Sequence, residues 1–384
     1  MREGEMMTGN SQCCGGGNMQ PACGSVAMPH DPPGSAHADW SDGFVTTGAG
    51  DPVPRVRTVL NFDDRIGTIK VRWGVGRMDY RVPAGLYAVG NPGNGSPVLV
   101  SANYKMSFDR LRSSLSGRDA WILVLDTDGV NVWCSAGKGT FGTDEIVRRV
   151  QETVLDRVVS HRVLVVPQLG APGVSAHEVR RRCGFRVEYG PVRAEDLPAY
   201  LDAGMKALPE MRRVRFGLRD RAVLIPVELV MGGKYALLLA AGFLVLGGLG
   251  ANGYTLAGVR TAGMAGAALV LVAFLGGAIL GPILLPWLPG RAFSVKGAAL
   301  GLALAGGLAA YGWAGFGKVE GWPHQAAWLL MVPSLASFVV LNFTGASTYT
   351  SLSGVLREMR FAVPAQAAGA LIALGFWVGG LFLA

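Results

Sequence analysis

Cys134 is the residue of this chain whose type and surroundings best fit metal or electrophile chemistry. It lies in the stretch GVNVWCSAGKGT, residues 129–140, shortly after the apolar run AWILVLD, residues 120–126. Asn131 is a favourable N-cap, which predicts a short helix with Cys134 in its first turn and Lys138 at i+4 on the same face. The helix dipole and the lysine both favour the thiolate, the form that ligates metals or attacks electrophiles.

Three familiar binding motifs do not fit this stretch. A phosphate loop needs G-x-x-x-x-G-K-[ST], but a glycine follows Lys138 and Val132 takes the place of the first glycine. A calcium loop over residues 126–137 would have its glycine too early and a glycine where the last acidic ligand belongs. A zinc site would need partners at ligand spacing around Cys134, and there are none. Three interpretations of Cys134 remain open: a metal ligand, a nucleophile and an inert structural cysteine. The last is included because a buried cysteine is usually inert.

Alternating strands and helices are predicted to position this motif. Strands are predicted at residues 97–102, 120–126, 161–167 and 185–190, and helices at 107–115, 143–159 (capped by Thr143), 175–184 (closed by Gly184) and 194–205. This alternation predicts a parallel, doubly wound α/β sheet, in which ligands bind beyond the carboxyl ends of the strands. A strand-rich lead-in is predicted over residues 56–90, and a disordered extension over residues 1–51.

Several further residues are candidates for the same site. Thr127, Asn103 and Gln168 follow predicted strands at the ligand edge, where we expect contacts to a ligand. Small residues surround the cysteine, so a large flat ligand has room to lie against the segment: Ser135, Ala136, Gly137 and Gly139. Cys183, His161 and His177 are interpreted as structural.

The cysteine pair in QCCGGG, residues 12–17, fits either a soft-metal site or an ordinary flexible tail. An odd number of cysteines, five in all, argues against a disulfide framework in a cytoplasmic domain.

The last part of the chain is predicted to cross a membrane. Five uncharged stretches each supply the roughly 20 apolar residues that a spanning helix needs. The predicted spans cover residues of about 235–256, 262–286, 297–316, 325–345 and 362–383. Basic loops alternate with poorly charged ones, which predicts an inner-membrane protein with its N-terminal domain in the cytoplasm and its C-terminus outside. The formal charge of +8 then reflects topology and does not indicate nucleic-acid binding.

The motif also resembles a known family. NVWCSAGKGTFGT, residues 131–143, is similar to the signature of the mercury-methylation corrinoid proteins (HgcA): Asn, Val or Ile, Trp, Cys, a small residue, Ala or Gly, Gly, Lys. The resemblance extends to VRWGVGRMDYRV (71–82), GLYAVG (85–90), VLVSANYKMSFD (98–109), PQLGAPGVSAHEVRRRCGF (167–185), YGPVRAEDLPAYL (189–201) and the five-span tail. The family is itself similar to the corrinoid iron–sulfur proteins of the acetyl-CoA pathway.

This resemblance implies a Rossmann-like, corrinoid-binding α/β domain with a cap helix (residues 52–228), followed by an all-α membrane domain of five helices (residues 229–384). Cobalamin would bind beside residues 131–138, with Cys134 as the lower axial ligand of cobalt. The implied activity is corrinoid-dependent methyl transfer to Hg(II). The implied partners are a ferredoxin-like iron–sulfur reductant, a methyltransferase that supplies a methyl group from a methylated folate, and membrane lipid. Cys13, Cys14 and Cys23 lie outside the resemblance and inherit no role.

Two other functions remain as alternatives. One keeps the corrinoid but changes the acceptor, as in methyl transfer of the acetyl-CoA pathway. The other is a membrane transporter or sensor with a cytoplasmic domain, which predicts ionisable residues inside the spans. The predicted spans contain no Asp, Glu, Lys, Arg or His, which favours a simple anchor.

Overall fold

A mixed seven-stranded sheet forms the centre of the first half of the chain. The computed structural model describes residues 40–48, 50–310, 321–346 and 352–383. The strands in this part are β1 (Ser41–Thr46), β2 (Pro52–Val56), β3 (Gly85–Val89), β4 (Val98–Ala102), β5 (Ala120–Leu125), β6 (Val163–Val166) and β7 (Arg186–Tyr189). Their order in the sheet is β1-β2-β3-β5-β4-β6-β7.

The predicted parallel arrangement is confirmed for the four strands from residue 97 onward, whereas two pairings that involve the lead-in are antiparallel. β5, β4, β6 and β7 run parallel as predicted, but β3 pairs antiparallel with β5, and β1 antiparallel with β2. The loop of residues 90–97 explains why β3 runs opposite to β4, because it is too short to carry the chain back to the other end of the strands. Parallel strands need a crossover of about a dozen residues or more, so β4 starts at the edge where β3 ends.

Helices cover both faces of the sheet, because successive strand residues point to opposite sides. On one face Val98 and Val100 of β4 pack with Ile146 and Val179, and on the other Leu99 packs with Phe108 and Tyr200. The helices of this part are α1 (Phe62–Arg72), α2 (Lys105–Ser114), α3 (Val132–Lys138), α4 (Thr143–Glu152), α5 (Leu155–Val158), α6 (Ala176–Cys183) and α7 (Leu197–Asp202). The predicted strands and helices from residue 97 onward are thus present.

Two features of the lead-in differ from the prediction. Residues 62–72, expected to be extended, form helix α1, because Asn61 and Asp64 make a reciprocal capping box at its start. Ser41–Thr46 forms β1, which bonds to β2, so the predicted disordered extension does not reach Asp51. The rest of that extension, with the cysteine pair, lies in residues 1–39, outside the described residues.

The long helix predicted at residues 143–159 is divided. Gly142, and not Thr143, is its N-cap, while the Thr143 hydroxyl accepts a hydrogen bond of 2.9 Å from the backbone N–H of Ser175. Val154 adopts a left-handed conformation (φ 46°), which ends α4 and restarts the chain as the short α5. Gly184 closes α6 with φ 78°, as predicted.

The second half of the chain is helical. Its helices are α8 (Leu218–Ala222), α9 (Ile225–Leu246), α10 (Leu256–Gly258), α11 (Met264–Leu275), α12 (Gly281–Leu284), α13 (Phe293–Ala310), α14 (Trp322–Asn342) and α15 (Leu352–Leu383). Four helical segments of the described residues are long and apolar enough to cross a membrane: Leu218–Leu246, Leu256–Leu284, Trp322–Gly345 and Ser353–Leu383. The third predicted span coincides with the shorter apolar helix α13 and continues into residues 311–320, outside the described residues.

Small residues allow these helices to approach closely. A Cβ added to Gly297 or Gly301 of α13 would lie 2.6 Å and 2.5 Å from the Cα atoms of Ser337 and Pro333 on α14. His324, only 3% exposed, lies in the first turn of α14, just before the start of the predicted fourth span. The predicted spans themselves contain no Asp, Glu, Lys, Arg or His.

Candidate functional site

Helix α3 presents the predicted cysteine at the carboxyl edge of the parallel strands. The side-chain oxygen of Asn131 accepts a hydrogen bond of 3.0 Å from the backbone N–H of Cys134, so Asn131 is the predicted N-cap. Gly139 ends the helix in the left-handed region with φ 86°. Cys134 therefore lies in the first turn of a short helix that is fixed at both ends.

The two faces of α3 have different environments. Trp133 (42% exposed), Cys134, Gly137 and Lys138 face outward, and a Cβ added to Gly137 would meet nothing within 4 Å. Ser135 is fully buried, and its hydroxyl lies 2.6 Å from the carbonyl oxygen of Asn131.

On the inner face of α3, Ala136 packs against the 3₁₀ segment Gln168–Gly173. A Cβ on Gly173 would lie 3.0 Å from the Ala136 carbonyl oxygen. Of the small residues predicted to admit a flat ligand, Gly137 adjoins open space, whereas Ser135 and Ala136 hold the helix in place.

The exposure of Cys134 removes one of the open interpretations. An inert structural cysteine would be buried, but this thiol is exposed. Among the described residues, no group of three or more His, Cys, Asp or Glu side chains is placed to hold a metal ion. Within the described part of the chain, the exposed thiol is thus the side chain of α3 that is open to a metal or an electrophile.

Asn103 and Thr127 connect the ends of β4 and β5 to the start of α3. Asn103 Oδ1 accepts hydrogen bonds from the backbone N–H groups of Thr127 (3.1 Å) and Gly129 (3.0 Å), and the Thr127 hydroxyl lies 2.8 Å from the same oxygen. Asn103 is 4% exposed and Thr127 is fully buried. Both residues therefore lie at the predicted edge and fix the loop of residues 126–131, with no open surface of their own.

The loop itself requires glycine at one position. Gly129 has φ 70°, and a Cβ there would lie 2.9 Å from the carbonyl oxygen of Met78. Gln168, at the end of β6, accepts a hydrogen bond of 2.9 Å from Arg212 and is not among the residues that line the adjoining cavity.

A cavity of about 520 Å³ lies next to α3, within the size range of small-molecule sites. It is bounded by the carboxyl ends of β4 and β6, by Asn131, Val132 and Trp133 at the start of α3, and by the start of the helical half at Val223 and Val227. Cys134 does not line it. Its neighbour Trp133 does line it, so the cavity begins directly beside the residue that carries the thiol.

Tyr104 lines this cavity and was not among the predicted residues. Burial is the largest cause that raises the pKa of its phenol; Arg77 and Arg72 oppose the rise, and a charge on Cys134 adds to it. The phenol is therefore protonated at neutral pH, and it donates to Met106 Sδ at 3.3 Å. Its position directly after Asn103, at a strand end, is a signal that could have identified it from the sequence.

Other candidate side chains are structural, as predicted. Cys183 Sγ donates to the carbonyl oxygen of Val179 at 3.2 Å, and burial raises the pKa of its thiol. His161 Nε2 lies 2.9 Å from the carbonyl oxygen of Ser96. His177 is on the surface of α6.

The α/β part of the chain is similar to known proteins. Residues 75–201 match the family described as CO dehydrogenase/acetyl-CoA synthase delta subunit. Among curated relatives, the gamma subunit of the acetyl-CoA decarbonylase/synthase complex from Methanopyrus kandleri is 33% identical over 128 residues, which cover 33% of this chain and 27% of the relative. The corresponding subunit from Archaeoglobus fulgidus is 30% identical over 140 residues, 35% of this chain and 29% of the relative.

These matches cover less than a third of the length of those relatives. The family match, residues 75–201, includes β3 to β7 and helix α3, but neither α1 nor the helical half of the chain. The part of this protein that carries the exposed Cys134 is thus similar to subunits of acetyl-CoA decarbonylase/synthase complexes.

Proposed function

We propose that this protein is a membrane-bound, corrinoid-dependent methyltransferase that transfers a methyl group to Hg(II). The observation that carries the proposal is an exposed thiol, Cys134, fixed in the first turn of the short helix α3 at the carboxyl edge of the parallel strands. The similarity to acetyl-CoA decarbonylase/synthase subunits supports the methyl-transfer class. The motif NVWCSAGK and the helical tail support the narrower assignment to mercury.

When bound, the corrinoid would supply a cobalt centre that accepts and donates the methyl group. Cys134 would be the residue that holds the cobalt, since a thiol that coordinates a metal is deprotonated and donates strongly. Asn131 holds the backbone of this residue, and the open space above Gly137 admits a flat ring. Trp133 lines the cavity next to Cys134 and would pack beside the ring.

The remaining residues of the site have supporting roles in this proposal. Lys138 lies one turn beyond Cys134 on the same face and supplies a positive charge near the thiolate. Asn103 and Thr127 set the position of the helix, and Gln168 borders the same edge of the sheet. The cavity has room for a side group of the ligand, next to the Tyr104 phenol.

We also propose that the helical half crosses the inner membrane five times, with α13 as the third span. Its 18 residues extend about 27 Å, close to the roughly 30 Å of the hydrocarbon core. The α/β part would then be cytoplasmic, where a ferredoxin-like protein and a methyl-donor methyltransferase can reach it. A reporter enzyme that works only outside the cytoplasm tests this topology when it is fused to the C-terminus. It should be active if that end lies on the far side of the membrane.

The test of the methyl-transfer proposal compares two cysteine variants of the full-length protein, purified without oxygen in detergent. Cys134→Ala should lose cobalt–thiolate ligation, seen in the absorption and electron paramagnetic resonance spectra, and should form no methylmercury. Cys183→Ala should retain both properties, since that thiol is half-buried on α6, where it donates to the carbonyl oxygen of Val179. Full activity of Cys134→Ala would refute the assignment.

A second candidate function keeps the corrinoid and changes the methyl acceptor. The matched relatives favour it, because their names refer to acetyl-CoA decarbonylase/synthase and not to mercury. Supplying the methyl-loaded protein with Hg(II) or with a thiol acceptor, and measuring each product, separates the two. Transfer to the thiol alone would favour this second function.

A further inference from the structure

Helix α1 carries its apolar stripe on the outside. Phe62, Ile66, Ile69 and Trp73 follow the spacing i, i+4, i+7, i+11, which places them on one helix face. Phe62 is 75% exposed, Ile69 51% and Trp73 47%. Two more apolar residues of the following loop, Val75 (60%) and Met78 (63%), are also exposed.

The opposite face of α1 is held by buried charges. Asp64, 4% exposed, forms ion pairs with Lys105 (2.5 Å) and Arg112 (2.7 Å), and both cations also pair with Asp109. These partners lie on α2, so the network fixes how α1 is rotated about its axis. The outward position of the apolar stripe is therefore a determined feature of the fold.

The loop after α1 lies beside the first candidate span. A Cβ added to Gly74 would be 3.5 Å from Val230 Cγ1 on α9. Lys234 and Tyr235 follow one turn later, about 6 Å along the helix, and are residue types typical of a membrane interface. Met231 and Tyr235 are 67% and 64% exposed on the same stretch of α9. The loop is thus at the level where this helix would enter the lipid.

Exposed basic residues border the apolar stripe. Arg65 and Lys70 lie on α1, and Arg77 lies in the following loop. A helix with an apolar stripe and flanking cations has the pattern of one that lies in the headgroup region of an anionic bilayer. Charge complementarity and continuity with the lipid-facing side of α9 both indicate lipid as the partner of this surface.

We propose that α1 and the loop of residues 73–78 form an interfacial anchor that rests on an anionic lipid surface next to the first span. This inference rests on the proposed membrane insertion and is independent of the methyl acceptor. The anchor adjoins the site through Met78, whose carbonyl oxygen lies against Gly129 in the loop before α3. It would hold the carboxyl edge of the sheet at a fixed height above the membrane.

The test uses the full-length protein in vesicles of phosphatidylcholine and phosphatidylglycerol, with and without brominated acyl chains that quench tryptophan. The fluorescence difference between wild type and Trp73→Phe isolates the signal of Trp73. We expect that signal to be about two-fold weaker or more in brominated vesicles, because an interfacial side chain reaches the acyl boundary. The matched control is Trp121→Phe. The Trp121 side chain is 1% exposed inside the sheet, so the fluorescence difference between wild type and this variant should be equal in both kinds of vesicle.

A charge on the stripe provides a second variant. Ile69→Glu should restore the Trp73 signal in brominated vesicles, whereas Phe44→Glu, at an exposed position on β1, should not. Equal Trp73 signals in the two wild-type samples would overturn the anchor. Quenching of Trp73 that occurs only after an iron–sulfur protein is added would also overturn it, since this surface would then bind protein and not lipid. If Trp287 and Trp322 of the helical half also escape quenching, the membrane placement fails together with the anchor, whereas the cysteine test of methyl transfer is unaffected.

Discussion

The side-chain oxygen of Asn131 lies 3.0 Å from the backbone nitrogen of Cys134 and accepts its hydrogen bond. Replacing an N-cap residue by alanine typically costs about 1 kcal/mol of helix stability. We expect Asn131→Ala to speed hydrogen exchange of the amides in residues 132–138 by about five-fold, measured by mass spectrometry. Asn131→Asp should keep the wild-type rate, because aspartate also caps. Unchanged exchange in the alanine variant would mean that the cap does not hold the helix.

Gly137→Ala should leave the stability of the apo protein unchanged or higher while it lowers the affinity for the ligand. Nothing lies within 4 Å of the added Cβ, and alanine favours a helix over glycine by about 1 kcal/mol, so the apo protein should be at least as stable. If the corrinoid lies on this face, the added methyl group should lower cobalamin affinity, measured by titration of the absorption spectrum. Undiminished affinity would place the ring elsewhere.

Asp64→Asn should weaken the attachment of α1 to α2. Burial alone would raise the pKa of Asp64, but hydrogen bonds from Lys105 and Arg112 outweigh it and lower the pKa below its usual value. Breaking one partner of a buried ion network typically costs about 3 kcal/mol or more. A thermal melt of the full-length protein should show this loss, and the exposed neighbour Asp63→Asn serves as control.

The same ion network predicts a pH dependence. A carboxyl with a lowered pKa in the folded state contributes stability above its unfolded pKa of about 4, and loses it as the pH falls through the lowered value. The wild-type melting temperature should therefore drop in acid below about pH 4 more steeply than that of Asp64→Asn. Parallel curves for the two proteins would contradict the assignment.

Gly380→Ala tests the packing of α15 on α14. The new Cβ would lie 2.5 Å from Cε1 of the buried His324, so one helix must shift, at a cost of about 1–3 kcal/mol. The neighbouring Gly379→Ala meets nothing within 4 Å and should be neutral or stabilising. Thermal melts in detergent, followed by the fluorescence of Trp328 and Trp377, compare the two variants.

Local sequence patterns were sufficient to predict part of the fold. The apolar runs identified strands β4 to β7, and the capping residue Asn131 identified helix α3. Helix α1 was missed because the alternation in residues 68–82 outweighed the capping box of Asn61 and Asp64 in the interpretation. The direction of β3 depends on its pairing with β5, which no local pattern encodes.

The exposure of Cys134 and the walls of the cavity depend on contacts between distant parts of the chain. Cys134 faces outward because Ala136, two residues later, packs on the segment at Gly173. Val223 and Val227 reach the cavity from the helical half, more than a hundred residues from β4 along the chain. Their place in the site follows from tertiary packing and could not be predicted from spacing.

The hydrogen bonds that Asn103 accepts from the backbone just after β5 affect the entropy and the route of ligand binding. They join the loop before α3 to the rigid sheet, so the cap helix is part of the framework and not a hinged lid. The thiol of Cys134 is then pre-organised, and little conformational entropy remains to be lost when a ligand arrives. A ligand of the proposed site would then enter and leave past elements other than the helix that carries the cysteine.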